Sequence, residues 1–338
     1  MNILFDINHP GHVHFFKHAI RILSADGHKV TVTARDKEVA LQLLQNYNIP
    51  HRVLSKAGKG LLGLGIELIC RETQIFSILR KEKIDVCAAI TGAALVHAAK
   101  LLRIPSLVFY DTEHAKLQNN ITIPFATHYF TPDCYLGHRW KNQTVYAGVH
   151  ELAYLHPNYF TPSPSVLADL HLAPGQRFVI MRFVSWSASH DIGQKGISLS
   201  LKRDLIQKLS PHAKVFIVSE SPLDQEFEPY RLTLAPEKVH DVMAYAALFI
   251  GEGATMASEA VCLGTPAIYV NSLKMGYIRE ESDRYGLMFD LEKDSEILAK
   301  SLEIVTGDYR GEWQEKQRRF LNDKIDVTQF IVNQILVA

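Results

Sequence analysis

The sequence predicts an α/β protein of two domains, each a mostly parallel sheet covered by helices on both faces. Three observations carry this. Short apolar runs alternate with amphipathic stretches in both halves, separated by short connections, which is the pattern of βα units. A proline-rich stretch from His156 to Ser165 interrupts the alternation, which then restarts. The length, 338 residues, is long for one core and comfortable for two.

In order, Asn2 to Ile7 reads as strand and Phe15 to Asp26 as amphipathic helix. Lys29 to Ala34 is strand, Lys37 to Tyr47 helix, and His51 to Leu54 a short strand. Ile66 to Glu82 reads as helix, Val86 to Ile90 as strand, Ala93 to Leu102 as helix and Ser106 to Tyr110 as strand. Pro124 to Ala126 belongs to a short helix, and His128 to Thr131 and Val145 to Val149 are strands. The domain boundary falls near residue 160. Beyond it, Ser165 to Leu170 is a short helix and Phe178 to Phe183 a strand. Leu199 to Leu209 is helix and Lys214 to Val218 strand. Val239 to Tyr245 is helix, Leu248 to Ile250 strand, a helix starts near Thr255, and Ala267 to Tyr269 is strand. Ser295 to Thr306 is helix. Three parts are therefore expected: 1–160, 161–311, and a helical segment 312–338, kinked near Asp326, that packs back on the first domain.

Acidic and basic side chains balance at 36 each, so no global charge recruits nucleic acid or an anionic membrane. Cys70, Cys87, Cys134 and Cys262 are scattered without metal-site spacing, which fits reduced thiols in a cytoplasmic protein. Met1 to Ile7 reads as a strand rather than a leader. No apolar run is long enough to span a bilayer. Leu61 to Ile66 reads as an apolar loop that contacts either lipid at the inner face of a membrane or a partner domain.

The most informative stretch is Gly251 to Val270, GEGATMASEAVCLGTPAIYV. A buried strand breaks at Gly251 and Gly253, and a short helix follows. A strand, a glycine turn and a helix N-terminus make an anion site, because free backbone N–H groups point at whatever sits there. Gly253 frees the backbone at that turn, and Thr255 lies in the first turn of the helix. Glu259, on the same helix face as Thr255, is placed to accept two hydrogen bonds from a ribose diol. Glu252 is expected to point elsewhere, since a carboxylate aimed at phosphates repels them. His240 is weighed both as a surface helix residue and as a nucleotide contact. The stretch from Met181 to Gly196 leaves the first strand of this domain. It supplies Arg182, Ser185, His190 and Lys195 for a diphosphate or sugar.

In the first domain, Asp6-Ile7-Asn8-His9-Pro10-Gly11-His12-Val13-His14 follows the first strand. Gly11 suits close backbone approach. His12 is the expected general base, since imidazole titrates near working pH. His9 and His14 are candidate sugar or acceptor contacts. No further residue completes a metal site, so no metal is expected. Thr91 and Gly92 offer a small donor site. Asp111, Glu113 and His114 end the next strand as acid–base or hydroxyl-binding groups, and Asn119 adds a hydroxyl contact.

These motifs resemble a two-domain nucleotide-sugar superfamily with the GT-B-like arrangement of two Rossmann-like domains. It includes GT-B glycosyltransferases, among them the lipid-linked GlcNAc transferase of peptidoglycan synthesis, and the non-hydrolysing UDP-GlcNAc 2-epimerases. ILFDINHPGHVHFFKHAI, VTARDKE, DTEHA at Asp111 to Ala115, and GEGATMASEAVCLGTPAIYV resemble more closely the family of domain of unknown function 354, over nearly the whole chain. The resemblance implies that the glycine turn carries UDP, with Gly253, Ala254 and Thr255 near the diphosphate, and that Glu259 holds ribose, with Gly11 and His12 on the acceptor side. The epimerases carry an HRREN-like motif where this chain reads SASHDIGQKG, which makes His190 the equivalent. They carry HVEAGLR where it reads YDTEHAK, which gives Glu113 the place of the epimerase acid. Gln118-Asn119-Asn120 stands where they couple a glutamate to an arginine, a departure from epimerase chemistry.

The leading expectation is glycosyl transfer from a UDP- or dTDP-type sugar, with no separate cofactor. The rivals are 2-epimerisation and sugar-nucleotide binding without catalysis. The expected partners are the nucleotide sugar and a glycan or lipid-linked acceptor, in a monomer or homodimer.

Overall fold

The computed structural model describes residues 1–37, 39–56, 58, 60–173, 175–183, 197–219 and 222–338. The chain divides into two compact units, Met1–Tyr159 with Ile325–Ala338, and Phe160–Lys324.

The first unit contains β1 (Asn2–Ile7), α1 (Pro10–Ala25), β2 (Lys29–Asp36), α2 (Ala40–Asn46), β3 (Arg52–Lys56), α3 (Gly60–Lys81), β4 (Val86–Ile90), α4 (Ala93–Leu102), β5 (Ser106–Phe109), α5 (Lys116–Thr122), β6 (His128–Pro132), β7 (Gln143–Tyr146) and α6 (Leu152–Leu155). Its seven strands run in the order β3-β2-β1-β4-β5-β6-β7, all parallel. The central strands are apolar on both faces, as helices on both sides require: every residue of β4 and β5 is buried.

The second unit contains α7 (Val166–Asp169), β8 (Phe178–Arg182), α8 (Leu199–Leu209), β9 (Lys214–Val218), α9 (Val239–Met243), β10 (Leu248–Gly251), α10 (Ala254–Cys262), β11 (Ala267–Tyr269), α11 (Gly276–Arg279), β12 (Met288–Asp290), α12 (Asp294–Thr306) and α13 (Arg310–Asp323). Its parallel sheet has the order β12-β11-β10-β8-β9. Val179, Met181, Leu205, Ile217, Leu248, Ile250, Ile268 and Ile297 form much of its core. The final helix, α14 (Val327–Val337), belongs to the first unit. Each sheet has Rossmann-like topology, and the whole chain is an α/β protein of the GT-B-like class.

Several elements differ from the sequence reading. Helix α1 starts at Pro10, five residues early, because proline suits the first helical turn and the His9 side chain accepts the Gly11 N–H. The apolar stretch read as a loop, 61–66, is the opening of α3. Its glycines weaken a sequence-level helix assignment without preventing the helix. Strand β7 lies at Gln143–Tyr146, ahead of its expected span, since Gly148 turns the chain away. The segment from residue 312 is two helices: Lys324 is extended, and Asp326 caps α14 by accepting the Gln329 N–H.

Candidate functional site

Parallel α/β sheets bind ligands at the C-terminal ends of their strands, where the strand order reverses. In the second unit this point lies between β8 and β10. Gly251 ends β10 there, in register with Arg182 of β8. A Cβ on Gly251 would meet the Phe249 ring at 2.6 Å and Arg182 Cβ at 3.1 Å, so only glycine fits. The chain then enters α10 with Gly253 at the N-cap and no side chain capping it. The first backbone bond runs from Ala257 N–H to Gly253 O, so the N–H groups of Ala254, Thr255 and Met256 lie ahead of the helical ladder.

Glu259, in the second turn of α10, is buried. Its Oε1 lies 2.9 Å from His240 Nε2, and the two side chains are 6% and 2% exposed. The surface alternative for His240 is therefore wrong. Helix α9 turns His240 inward together with Val242 and Met243, and polarity alone misjudged which face was buried. Glu252 turns aside from the glycine turn, as expected: its Oε1 accepts the Ile197 N–H at 2.6 Å. Ser185, His190 and Lys195 lie outside the described residues.

In the first unit the strand order reverses between β1 and β4. The turn after β1 is held from below. Buried Asp6 accepts hydrogen bonds from Thr33 Oγ1 (2.7 Å), Arg71 Nη2 (2.6 Å) and Asn8 Nδ2 (2.9 Å). Arg71 also reaches Ser55, which with Arg35 and the Gly58 N–H engages Glu67. Burial pushes the Glu67 carboxyl up, but the hydrogen bonds from Arg35, Gly58 and Ser55 outweigh it and bring it to about 2. Arg71, Glu67 and Arg35 went unread as a network because tertiary folding alone brings them together.

His12 follows on α1. Its Nδ1 accepts the Asn8 backbone N–H at 3.2 Å, which puts the proton of the neutral ring on Nε2. Burial, aided by His9, His150 and Lys37, holds its pKa well below the usual value. Nδ1 is thus engaged by the backbone, and Nε2 is the ring nitrogen left to meet a ligand. His9 caps α1. His14 packs between Tyr47 and Tyr154, with ring centroids at 5.8 and 5.2 Å, so it belongs to the packing of α1 against its neighbours.

Across the reversal, Thr91 (φ 56°) and Gly92 (φ 83°) are both left-handed. A β-branched residue there is uncommon. Thr91 is buried, and its Oγ1 accepts from Gln118 Nε2 at 3.0 Å. After β5, Asp111 Oδ1 accepts the Thr112 hydroxyl at 3.0 Å, and Oδ2 lies 3.3 Å from His150 Nδ1. His150 is buried, and its ring packs tilted against Phe15 with centroids 4.5 Å apart. Burial lowers its pKa, and the neighbouring Asp111 carboxylate opposes that shift. Glu113 Oε1 accepts the Leu136 N–H at 3.1 Å. His114 is exposed, and Asn119 is buried in α5. The structure thus groups His12, His150 and Asp111. His150 was missed, although it follows the end of β7, the same strand edge that singled out the others.

Two other features do not add sites. Gly58, Gly60 and Gly63 have dinucleotide-motif spacing after β3, but β3 is an edge strand, and Glu67 Oε2 accepts the Gly58 N–H where a phosphate would sit. A cavity of about 920 Å³ beside Arg177, Tyr245, Gly264 and Trp313 opens at the N-terminal edge of the second sheet, away from the ligand-binding edge.

The fold and these two strand edges define a GT-B-like class of proteins, related in structure to the UDP-GlcNAc 2-epimerases and glycosyltransferases. UDP-GlcNAc 2-epimerase from Neisseria meningitidis, solved bound to UDP-GlcNAc, superposes with a TM-score of 0.75 at 13% identity over the full length of both chains. MurG of Acinetobacter baumannii does so with a TM-score of 0.60 at 14% identity, again over both whole chains. The chain belongs to the family described as protein of unknown function (DUF354), whose model matches residues 1–337. An uncharacterized protein of Methanocaldococcus jannaschii is 24% identical over 282 residues, covering 79% of this chain and 81% of the relative. Among the described residues no helix is long and apolar enough to cross a membrane.

Proposed function

We propose that the chain is a glycosyltransferase-like enzyme that uses a nucleotide-diphosphate sugar, foremost a UDP-sugar, to build a cell-surface glycan or glycolipid. The observation that carries this reading is the glycine turn at the strand reversal of the second unit, where an uncapped helix N-terminus and a buried glutamate share α10. Backbone donors and a helix dipole suit a diphosphate, and a carboxylate suits a ribose diol. In this reading Gly253, Ala254 and Thr255 hold the diphosphate. Arg182, with Ser185, His190 and Lys195, offsets the charge that grows on it as the sugar leaves.

On the acceptor side, Asp111 takes the hydroxyl proton, oriented by His150 and Thr112, and His12 donates a hydrogen bond from Nε2. Leu62, Ile66 and Ile69 share an exposed face of α3, which favours a lipid-linked acceptor. The second reading is 2-epimerisation, favoured by two carboxylates, Asp111 and Glu113, at one strand end. Such a reaction needs two acid–base groups at C2.

The test is calorimetric titration of UDP, dTDP and GDP into wild type and Glu259→Ala. UDP binds saturably to wild type, and the variant weakens it at least tenfold. A folded wild type that binds no diphosphate overturns the reading. Hydrogen exchange at C2 of a bound UDP-sugar in D2O, without a second substrate, would replace transfer by epimerisation.

A further inference from the structure

We propose that His240 is a positioning residue that makes the nucleotide site select ribonucleotides over 2′-deoxyribonucleotides. The inference rests on the ribose role of Glu259 and extends it to a specificity that the glutamate alone does not explain.

The contact is short and dry: His240 Nε2 lies 2.9 Å from Glu259 Oε1, with both side chains almost wholly buried. His240 is itself held by its surroundings. The edge of its ring meets Phe160 at 6.3 Å between centroids, nearly perpendicular. Its helix is tied down on both sides. Thr265 Oγ1 donates to Met243 O at 2.7 Å, and the Ser163 N–H donates to Asp241 Oδ1 at 2.7 Å. Val242 and Met243 anchor the same helix in the core. A fixed imidazole therefore stands against a carboxylate that would otherwise rotate about three side-chain bonds.

A carboxylate has about four acceptor sites, so accepting from His240 is compatible with accepting from a ribose diol. Orientation decides selectivity. When the carboxylate is fixed, a nucleotide without its 2′-hydroxyl leaves an acceptor site buried and unmatched, and binding suffers. When the carboxylate is mobile, it swings toward water and the missing hydroxyl matters little. Holding Glu259 in place thus turns a general attraction for hydroxyls into discrimination at the 2′ position. The same logic favours UDP-sugars over dTDP-sugars as donors.

The experiment compares UDP with 2′-deoxy-UDP by calorimetry in wild type, His240→Leu and His240→Gln. Glutamine places its amide nitrogen near the position of imidazole Nε2, so it restores the donor. The wild type prefers UDP by about tenfold, the ratio made by one matched hydroxyl. His240→Leu brings that preference to about twofold or less, and His240→Gln recovers most of it. If leucine prevents folding, His240→Asn replaces it, since its amide is too short to reach Glu259. A loss of affinity shared equally by both nucleotides, with the preference intact, overturns the positioning role and leaves His240 a packing residue. Equal binding of both nucleotides by wild type also overturns it, while leaving the nucleotide site in place. Absence of binding by either nucleotide overturns the ribose reading of Glu259 and this inference with it.

Discussion

Glu281 sits in a one-turn π-helix, Glu280–Arg284, fully buried beneath α10. Ser258 Oγ donates to its Oε1 at 2.5 Å, and neighbouring Glu280 is paired with Lys324 Nζ at 2.7 Å. Burial is the main cause that pushes its carboxyl up to about 8; Glu280 adds to this, while Ser258 and Lys324 oppose it. A raised acid holds a proton in the folded state that the unfolded chain has released. Stability from this group is therefore present below about pH 4.5 and is lost as pH rises toward 8. Glutamine mimics the protonated form, so Glu281→Gln is expected to stabilise the protein at pH 8 by about 1–3 kcal/mol and to change little at pH 5. Urea unfolding at the two values checks this, and an equal effect at both would refute it. Glu67 acts in the opposite sense. Held at about 2, it contributes stability above its ordinary 4.5 that disappears on acidification. His18, lowered to about 4 chiefly by burial, adds a further loss as pH falls from 6.5.

At the scale of the element, the glycines near the strand ends are not equivalent. Gly11 lies inside α1 with ordinary backbone angles, and a Cβ there would meet only His9 Nδ1, at 3.5 Å. Gly92 is left-handed, and a Cβ would meet Ala89 Cβ at 2.7 Å. Gly11→Ala should therefore stay within about 0.5 kcal/mol of wild type, while Gly92→Ala loses about 1–3 kcal/mol. Thermal unfolding of the two variants separates them. A large loss in Gly11→Ala would mean that the turn after β1 needs glycine for a reason its geometry lacks. Short β-strands ending in such turns put polar groups at the sheet edge without disturbing the core below it.

For the whole molecule, the notable fact is that the chain returns. Helix α14 completes the first unit although the entire second unit separates it in sequence. It buries Val327, Ile331, Val332 and Ile335, and Thr328 Oγ1 donates to Ala153 O at 2.6 Å. Phe330 meets Phe130 and Tyr146 at 5.6 and 5.0 Å. Each buried aliphatic side chain is worth about 1.5–3 kcal/mol, so four of them rival the whole stability of a domain. A chain ending at Lys324 is expected to lose cooperative melting of the first unit and bind a hydrophobic dye, while the second unit still melts. Calorimetry of the truncated chain reads both events, and two intact transitions would contradict the expectation.

The sequence by itself determined the class of fold, most of the strands, the glycine turn before α10 and the strand ends where polar groups collect. These are local signals: apolar runs, glycine positions and the alternation of elements. It determined much less about roles. Whether His240 faced solvent or Glu259, which nitrogen of His12 the backbone engages, and that His150 stands beside Asp111 were decided only by tertiary structure. Arg71 meeting Asp6 across 65 residues is of the same kind. The physical reason is that pairing, tautomer and burial are set by partners distant in sequence. Periodicity reports which face of an element is apolar, but not which polar group the folded chain brings against it.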